Sequence, residues 1–397
     1  MYKPRIALVV SHPIQHFCPQ YVSFAKHPEI IFKVFFGSAL GFKKYVDPGF
    51  QREISWTNLQ LEKFDHVFLQ GEQLLAADKN LDAPALNDAM DQFAPDIVIG
   101  YGYFQPLQRR AKAWVKKNKK KLAYIADTER KQHRPRWKEW IQYPLLWNYF
   151  RDINYFLTVG DANEDYFRFH RVGPEKFIRM HFPIDTCIYK KAFSNRQSLR
   201  EEIRRQYGIK KEMPVLAVVG KLVPWKNQDH IIEAMELLEQ QNIITELFIL
   251  GTGHDLRVLQ QKAIRLKTAR VHFPGFVQPE DLPAFYAASD IYVHPASVEP
   301  HSLAISEAIY MGCPVIVSDR CGSYGKTDDV QQERNGYVYE FGEIKELAAK
   351  ISRMIGLAGI RADFGQYSHY IAEGFQQRSH SGSIDELLKR FRYDQSN

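Results

Sequence analysis

The chain of 397 residues has the length of two ordinary domains, and its 45% apolar and 25% charged residues are typical of a globular protein. Its longest apolar runs, such as 215–219 and 315–317, are only as long as one strand, which excludes a membrane-spanning helix. The net charge of +7 arises in residues 1–190, where 28 Lys and Arg face 20 Asp and Glu, but no nucleic-acid recognition module accompanies it.

Short apolar strands alternate with helical segments along the whole chain. We predict strands at 5–10, 31–36, 96–100, 121–126, 155–160, 214–220, 246–251, 271–275, 291–295, 314–319 and 336–340. Helices are predicted between most of them, for example at 228–241, 255–267, 280–289 and 302–311. This alternation is typical of parallel sheets with helices on both faces. The predicted fold class is α/β, with two Rossmann-like domains whose parallel sheets face an interdomain cleft.

A polar stretch around 190–212 separates the two series of strands, so we predict a first domain at 1–190 and a second at 191–375. Residues 376–397 form a last helical segment with an apolar face. The chain begins with a buried strand that soon meets polar residues and proline, unlike a signal peptide. The four cysteines lack metal-binding spacing and predict reduced thiols in the cytoplasm.

Much of the positive charge lies in KKNKKK (116–121) and RKQHRPRWKEW (130–140), where Trp137 and Trp140 stand among the basic residues. One interpretation is a solvated helix end. The other is contact with an anionic membrane surface, because ammonium groups meet lipid phosphates while indole rings lie at the headgroup level. The sequence leaves both interpretations open.

The segment VVGKLVPWKNQDHIIEAM (218–235) joins a buried strand to a helix. Gly220 permits a tight turn at the end of the strand, where the ammonium groups of Lys221 and Lys226 converge. A diphosphate requires such positive charge, so we predict a diphosphate site at these residues. The alternative is a pair of solvated loop lysines.

Two further strands end in glycine. LGTGHDL (250–256) lacks most of the dinucleotide fingerprint, which disfavours a nicotinamide-dependent dehydrogenase, yet its turn lets backbone at Gly251 approach a ligand. In FPGFVQPEDLPAFYAASDIYVHP (273–295), Phe276 and Val277 stand beside backbone groups that suit the edge of a nucleobase. Ordinary loop chemistry is the alternative for both segments.

VEPHSLAISEAIYMGCPVIVSD (298–319) places Glu299 before a helix and Glu307 within it. Ser302 is expected to cap this helix, leaving the N–H groups of 302–304 at an end where the dipole favours anions. The helix is otherwise apolar, so a buried Glu307 needs polar partners. Carboxylates accept hydrogen bonds from diols, and we predict that the pair holds a ribose and a sugar. The alternative is a capping acid and an exposed helical glutamate.

The order and spacing of these segments resemble the donor domain of retaining glycosyltransferases of family four, which have the two-domain GT-B fold. The family commonly carries Glu-Pro-Phe-Gly-Leu-x-x-x-Glu-Ala, which stands here as EPHSLAISEA (299–308). Residues 218–235 are similar to its Gly-Arg-Leu…Lys-Gly segment, with Lys221 replacing the arginine, and 271–297 to its base-binding segment. The segments 11–21 and 158–177 resemble bacterial members involved in surface polysaccharide assembly.

The resemblance implies transfer of a sugar from a nucleotide diphosphate sugar to a hydroxyl of a glycan or lipid-linked acceptor, with retained anomeric configuration, in bacterial cell-surface polysaccharide assembly. It implies Glu299, Lys226 and Lys221 as catalytic residues. The donor-binding residues that it implies are Gly220, Lys221, Lys226, Gly251, Phe276, Val277, Glu299, His301, Ser302, Leu303, Ala304 and Glu307. Because His301 and Ser302 replace the usual Phe-Gly, we expect them to set the sugar preference.

In the first domain, residues 126–133 follow a strand and are expected to face the cleft. Asp127, Glu129 and Arg130 are therefore expected acceptor contacts, as are His12 and His16, with an ordinary structural role as the alternative for each histidine. The sequence has no Asp-x-Asp pair to hold a metal, so we expect a metal-independent reaction without a cofactor. In relatives the last helix crosses back to the first domain, and we expect the same of 376–397.

Two other functions remain open. One is a nucleotide-sugar epimerase or hydrolase on the same fold, and the other is a non-catalytic binding module on a membrane surface. The expected location is the cytoplasm, with peripheral contact at the inner face of the cell membrane and no nucleic-acid partner.

Overall fold

The computed structural model describes residues 2–42, 45–47, 52–54, 59–72, 76, 78–131 and 136–396. Within them, the first part of the chain forms β1 (Arg5–Val10), α1 (Cys18–Ala25), β2 (Ile31–Phe36), β3 (Tyr45–Asp47), β4 (Arg52–Ile54), β5 (His66–Glu72), α2 (Leu86–Phe93), β6 (Ile97–Tyr101), α3 (Pro106–Lys117), β7 (Lys121–Ile125), α4 (Arg136–Arg151), β8 (Tyr155–Thr158), α5 (Asp161–Phe169) and β9 (Phe177–Arg179).

The second part forms α6 (Thr186–Ser194), α7 (Arg196–Gln206), β10 (Val215–Val219), α8 (Asp229–Gln240), β11 (Glu246–Leu250), α9 (Leu256–Ala263), β12 (Arg270–Gly275), α10 (Leu282–Ala288), β13 (Ile291–His294), α11 (Leu303–Tyr310), β14 (Val315–Ser318), β15 (Gly336–Tyr339), α12 (Ile344–Gly356), α13 (Ala358–Gln377) and α14 (Ser383–Ser396). A π-helical turn, Arg378–Gly382, joins α13 to α14.

Two parallel sheets organise these elements. The first has the strand order β5-β2-β1-β6-β7-β8-β9, and the second has β12-β11-β10-β13-β14-β15. In the first sheet, β2 and β5 are added on one side of β1 and the strands from β6 onward on the other side, so the order of strand addition reverses between β1 and β6. The order reverses in the same way between β10 and β13 of the second sheet. Ligands of open α/β sheets bind outside the carboxyl ends of strands at such switch points. The topology therefore marks two ligand-binding crevices, one on each sheet.

Alternate residues of the central strands enter opposite sides of each sheet. In β1, Ile6 and Leu8 pack in one apolar cluster while Ala7 and Val9 pack in the other. The same alternation divides β10 between two clusters. Both faces of each sheet are therefore buried under helices, as expected for parallel sheets.

The chain passes between the two cores twice. Phe182 belongs to the core of the first sheet and Ile184 to that of the second, so the passage precedes α6. The predicted boundary at 190/191 therefore falls inside α6, whose Tyr189 is buried in the second core. After α13 the chain returns, and α14 buries the apolar side chains of Ile384, Leu387, Leu388 and Phe391 in the first core.

The predicted α/β arrangement of two parallel sheets is confirmed. Each strand predicted from the sequence is present, with ends shifted by at most two residues. The sequence interpretation missed β5 and β9, the two edge strands of the first sheet, and the antiparallel pair of β3 and β4.

Candidate functional site

A cleft of about 470 Å³ lies between the carboxyl ends of the two sheets. Gln15, His16 and Pro19, which follow β1, form one wall. The ends of β10 to β13 and the start of α11 form the other wall, and the predicted donor residues that line it are Gly220, Lys221, Lys226, Gly251, Phe276, Val277, Glu299, Ser302, Leu303, Ala304 and Glu307. The structure thus brings together eleven of the twelve residues predicted for the donor, His301 being the exception.

Two glycines allow the ends of β10 and β11 to touch. Gly220 has φ +148° and Gly251 has φ +142°, conformations that other residues rarely adopt. A Cβ atom on Gly251 would lie 1.9 Å from the carbonyl oxygen of Gly220. The floor of the cleft is therefore bare backbone, which lets a ligand approach closely.

Glu299 is held by a chain of polar groups that starts at the cleft and runs into the core. Lys226 pairs with the Oε2 atom of Glu299, and His294 Nε2 lies 2.9 Å from the same oxygen. The hydroxyl of Tyr292 lies 3.2 Å from His294 Nδ1. When Nε2–H donates to Glu299, Nδ1 is left to accept from Tyr292, so the network assigns one tautomer to His294.

This network sets the charge of Glu299. Burial alone raises its pKa, but the hydrogen bond with His294 and the charge of Lys226 outweigh burial and hold the pKa at about 2. Burial lowers the pKa of His294, although the hydrogen bond with Glu299 and the charge of that carboxylate partly offset burial. Glu299 is therefore a fixed carboxylate, a group that can accept hydrogen bonds from ligand hydroxyls.

Glu307 lies on α11, where burial raises its pKa to about 7. The hydroxyl of Tyr286 donates to Glu307 Oε2 at 2.9 Å and partly offsets the burial. Whereas Glu299 is paired with Lys226, the partner of Glu307 is a tyrosine hydroxyl. It is poised between its two protonation states near neutral pH.

The N-terminus of α11 opens into the cleft through Leu303 and Ala304, whose amides fall in the first turn, where a helix leaves N–H groups unpaired. The prediction that Ser302 also offers its amide is wrong, because this N–H donates to Ser323 Oγ at 2.8 Å. Nor does the Ser302 side chain make a capping hydrogen bond. The start of α11 therefore offers an anion the amides of Leu303 and Ala304 but not that of Ser302, one amide fewer than the sequence indicated.

His301 points away from the cleft, towards the junction of the two domains. Its ring meets Phe182 edge-on, with 4.9 Å between centroids, and its Nε2 atom lies 3.2 Å from Asp329 Oδ2. Burial lowers its pKa, but Asp329 and Asp328 raise the pKa above the usual value overall. The ligand atoms of His301, Asp328 and Asp329 lie close enough together to hold a cation, and the contact of His301 with Asp329 is an ion pair when the imidazole is protonated. A sugar-selecting role for His301 stays a prediction.

The residues predicted to contact an acceptor are dispersed. His16 lines the cleft, while Asp127 lines a second cavity of about 380 Å³ at the β1/β6 switch point of the first sheet. His12 and Glu129 line neither cavity, and Glu129 is buried. Arg130 also lines neither cavity, and its guanidinium lies 3.6 Å from the ring centroid of Phe169.

Two residues that support the glutamates escaped the sequence interpretation. His294 ends β13 five residues before Glu299, and Tyr286 lies on α10, 21 residues before Glu307; neither stands in a motif that marks it as a partner. The only sequence signal for His294 is a histidine at the carboxyl end of an apolar strand. Asp185 and Tyr189, which also line the cleft, precede and enter α6 with no pattern to mark them.

Comparison with known proteins shows that the segment forming the second-domain wall of this cleft is similar to a described family. Residues 199–369 match the model of the family described as glycosyl transferases group 1. We call residues 199–369, which match this family model, the group 1 domain. This domain contains both glutamates and both lysines of the cleft.

Curated relatives of the group 1 domain cover part of the chain. Spore coat protein SA of Bacillus subtilis is 28% identical over 200 residues, which are 48% of this chain and 52% of that protein. A GDP-mannose-dependent alpha-(1-6)-phosphatidylinositol monomannoside mannosyltransferase of Mycolicibacterium smegmatis is 29% identical over 198 residues, 48% of this chain and 51% of that protein. The chain thus spans about half the length of these relatives.

A solved structure extends the likeness to both domains. Alr3699/HepE of Anabaena, crystallised in complex with UDP, superposes with a TM-score of 0.72 at 19% identity, over 97% of this chain and 100% of that chain. This similarity establishes the fold. The group 1 domain here is the second half of a GT-B fold, as the sequence resemblance predicted.

Proposed function

We propose that the protein transfers a sugar from a nucleotide diphosphate sugar to a hydroxyl of a glycan or lipid-linked acceptor, with retention of the anomeric configuration. The observation that carries this proposal is the convergence of two lysines, two glutamates and a helix N-terminus in one cleft. The group 1 domain and the relative named as a mannosyltransferase support it. We further propose a role in bacterial cell-surface polysaccharide assembly.

Each part of the donor has a complementary group in the cleft. Lys221, Lys226 and the start of α11 neutralise the diphosphate. The ionised Glu299 accepts hydrogen bonds from hydroxyls of the sugar, and Glu307 accepts them from the ribose diol. The backbone around Val277 lies at the end of β12, where it faces the base.

In the proposed reaction, the bond between the anomeric carbon and the leaving diphosphate oxygen breaks, and its electron pair goes to the diphosphate. The acceptor oxygen bonds to the same face of the anomeric carbon, and its proton passes to the diphosphate oxygen. Lys226 and the α11 dipole stabilise the charge that develops there. Because these groups supply positive charge, we propose that the reaction needs neither a metal nor a cofactor.

The acceptor is proposed to enter from the first domain, past His16 and the second cavity that holds Asp127. The excess of basic residues in 1–190 and the phosphatidylinositol substrate named for the Mycolicibacterium relative support a lipid-linked acceptor. We therefore place the protein at the inner face of the cell membrane, bound peripherally.

A nucleotide-sugar epimerase or hydrolase is the rival function, and an incubation without acceptor separates the two. The transferase proposal expects slow loss of nucleotide sugar until an acceptor is added. Rapid turnover without acceptor contradicts it.

The decisive experiment is a thermal-shift and turnover assay with nucleotide sugars of different bases and sugars, with and without EDTA. A ligand at 100 times its Kd stabilises the native state by about 2.7 kcal/mol. Lys226→Met is expected to abolish the shift and the transfer, because the diphosphate loses its counter-charge. The exposed lysine variant Lys345→Met serves as the control. Transfer that survives Lys226→Met, or that stops with EDTA, overturns the proposed mechanism.

A further inference from the structure

Helix α4 is apolar on two opposite faces. Leu146 and Phe150 are buried in the core of the first domain. On the other side, Trp137, Trp140 and Leu145 are 61%, 80% and 70% exposed, and Ile141 is 62% exposed. Spacings of three, four and eight residues place these side chains on one face. A surface helix ordinarily has a polar outer face, so this stripe needs an explanation.

The stripe is rich in tryptophan. Three of the six tryptophans of the chain, including the partly exposed Trp147, lie on this one helix. Tryptophan is enriched at the boundary between a bilayer and water, because its ring is apolar and its N–H is polar.

The charge around α4 is strongly positive. Residues 104–152, which contain α3, the following strand and α4, carry 14 Lys and Arg but only four Asp and Glu. Of the four acids, Asp127 and Glu129 lie in the loop before α4, Glu139 is paired with Arg130 at 3.1 Å, and Asp152 lies within 4.0 Å of Lys112, Lys116 and Arg151. Lys138 stands within the apolar stripe, and Arg109, Lys116 and Lys117 are exposed on α3. Such a surface complements anionic lipid headgroups.

The length and the burial of α4 agree with a helix that lies along a membrane surface rather than across the membrane. None of the helices among the described residues is both long enough and apolar enough to cross a membrane. A helix with one face in the protein core cannot leave it, so its outer face can meet a bilayer only in the plane of the headgroups.

We propose that the outer face of α4 lies in the headgroup region of an anionic bilayer, with Trp137, Trp140, Ile141 and Leu145 inserted. The basic residues of α3 and α4 contact the lipid phosphates. The inference rests on the proposed function and deepens it, because it names where a lipid-linked acceptor is met. Asp127, which lines the second cavity, lies in the segment between β7 and α4. Binding of α4 to the bilayer requires neither the sugar donor nor the transfer reaction.

The test is co-sedimentation of the full chain with vesicles of phosphatidylglycerol and phosphatidylcholine, compared with phosphatidylcholine alone. Wild type is expected to bind the anionic vesicles at least tenfold more tightly. Trp140→Asp combined with Ile141→Asp is expected to weaken that binding at least tenfold, because two charged groups replace inserted apolar ones. Ile264→Asp, at an exposed site of the second domain, is the matched control and is expected to bind like wild type.

Three outcomes overturn the proposal. The double variant binds anionic vesicles like wild type, the two vesicle types bind equally, or ultracentrifugation shows a wild-type dimer that the double variant dissociates, which assigns the stripe to a second copy of the chain. Donor binding in the thermal-shift assay separates the two proposals. If no nucleotide sugar stabilises wild type but wild type binds vesicles through α4, the proposed function fails and this inference stands.

Discussion

Two glutamates eight residues apart show how surroundings decide the chemistry of a side chain. Glu299 faces Lys226 and His294, and its pKa falls to about 2 despite burial. Glu307 lies on a buried helix with a tyrosine hydroxyl as partner, and its pKa rises to about 7. One is permanently charged, whereas the other changes its charge near neutral pH. The proposed donor site therefore contains one carboxylate of fixed charge and one carboxyl group whose charge depends on pH.

Replacing Glu307 by glutamine tests this difference. Burial raises its folded-state pKa from 4.5 to about 7, so ionisation costs stability that grows from about pH 4.5 to pH 7 and stays lost above it. Glu307→Gln is expected to raise the free energy of unfolding at pH 8 by roughly 2–3 kcal/mol and to change it little at pH 4. Urea unfolding at both pH values measures this.

The same variant is expected to bind nucleotide sugars weakly, because glutamine accepts fewer hydrogen bonds from a diol. A variant that is more stable yet binds the donor poorly identifies Glu307 as a residue kept for function. A loss of stability at pH 8 contradicts the assignment.

The glutamates could be predicted from the sequence because one short segment carries both and its apolar helix marks Glu307 as buried. Their supports could not. His294 stands five residues before Glu299, but no motif marks it as a partner. Tyr286 reaches Glu307 only because α10 and α11 are buried in the same core. The direction of His301 was equally hidden, since position along a loop does not fix which way a side chain points.

At the scale of elements, a loop of the second domain docks on a helix of the first. Residues 323–329, between β14 and β15, reach the N-terminus of α5. There Asp161 N–H donates to Asp328 Oδ2 at 2.7 Å, and the Asp161 carboxylate accepts from the backbone N–H and the hydroxyl of Thr327. Arg179 joins this contact by pairing with Asp161 at 2.7 Å and with Glu164 at 2.8 Å.

Arg179→Met is expected to lower the free energy of unfolding by about 1.5–3 kcal/mol, because it removes the guanidinium that the Asp161 and Glu164 carboxylates share. Arg168→Met is the control, since Arg168 pairs with Glu164 from an exposed position and is expected to cost less than about 1 kcal/mol. Chemical denaturation of both variants measures the contrast. Equal effects mean that the docked loop does not hold the domains together.

The strands show where prediction from sequence succeeds at this scale. β1 and β10 are buried on both faces and read as continuous apolar runs, so their ends were predicted closely. β9 has three residues, and β5 is an edge strand that mixes polar with apolar residues. Neither carries a pattern that separates it from a loop.

At the scale of the whole molecule, α14 couples the folding of the two domains, because it follows the second domain in the chain but packs in the core of the first. Ile384, Leu387, Leu388 and Phe391 are at most 3% exposed, and they pack beside β1 and α1 in the first core. Hydrogen bonds from Lys121 and Tyr155 to Asp394 fasten the far end of the helix.

Deleting residues 383–397 is expected to unfold the first domain. Burial of four large apolar side chains contributes roughly 6–12 kcal/mol, which is comparable to the whole stability of a domain. Circular dichroism melting is expected to show one transition lost. Deletion of 395–397 alone, which leaves the four side chains in place, is the control, and equal melting of both truncated chains contradicts this role.

The path of α14 has a consequence for how the protein is made. A ribosome releases residues 5–182 first, yet the sheet that they form lacks one covering helix until 383–396 have followed. During that interval an apolar face of the nascent domain stays open to water, while the second domain is already emerging. Folding of the first domain is therefore expected to finish only after residues 383–396 have emerged from the ribosome, with a chaperone or a transient nonnative contact shielding the open face until then.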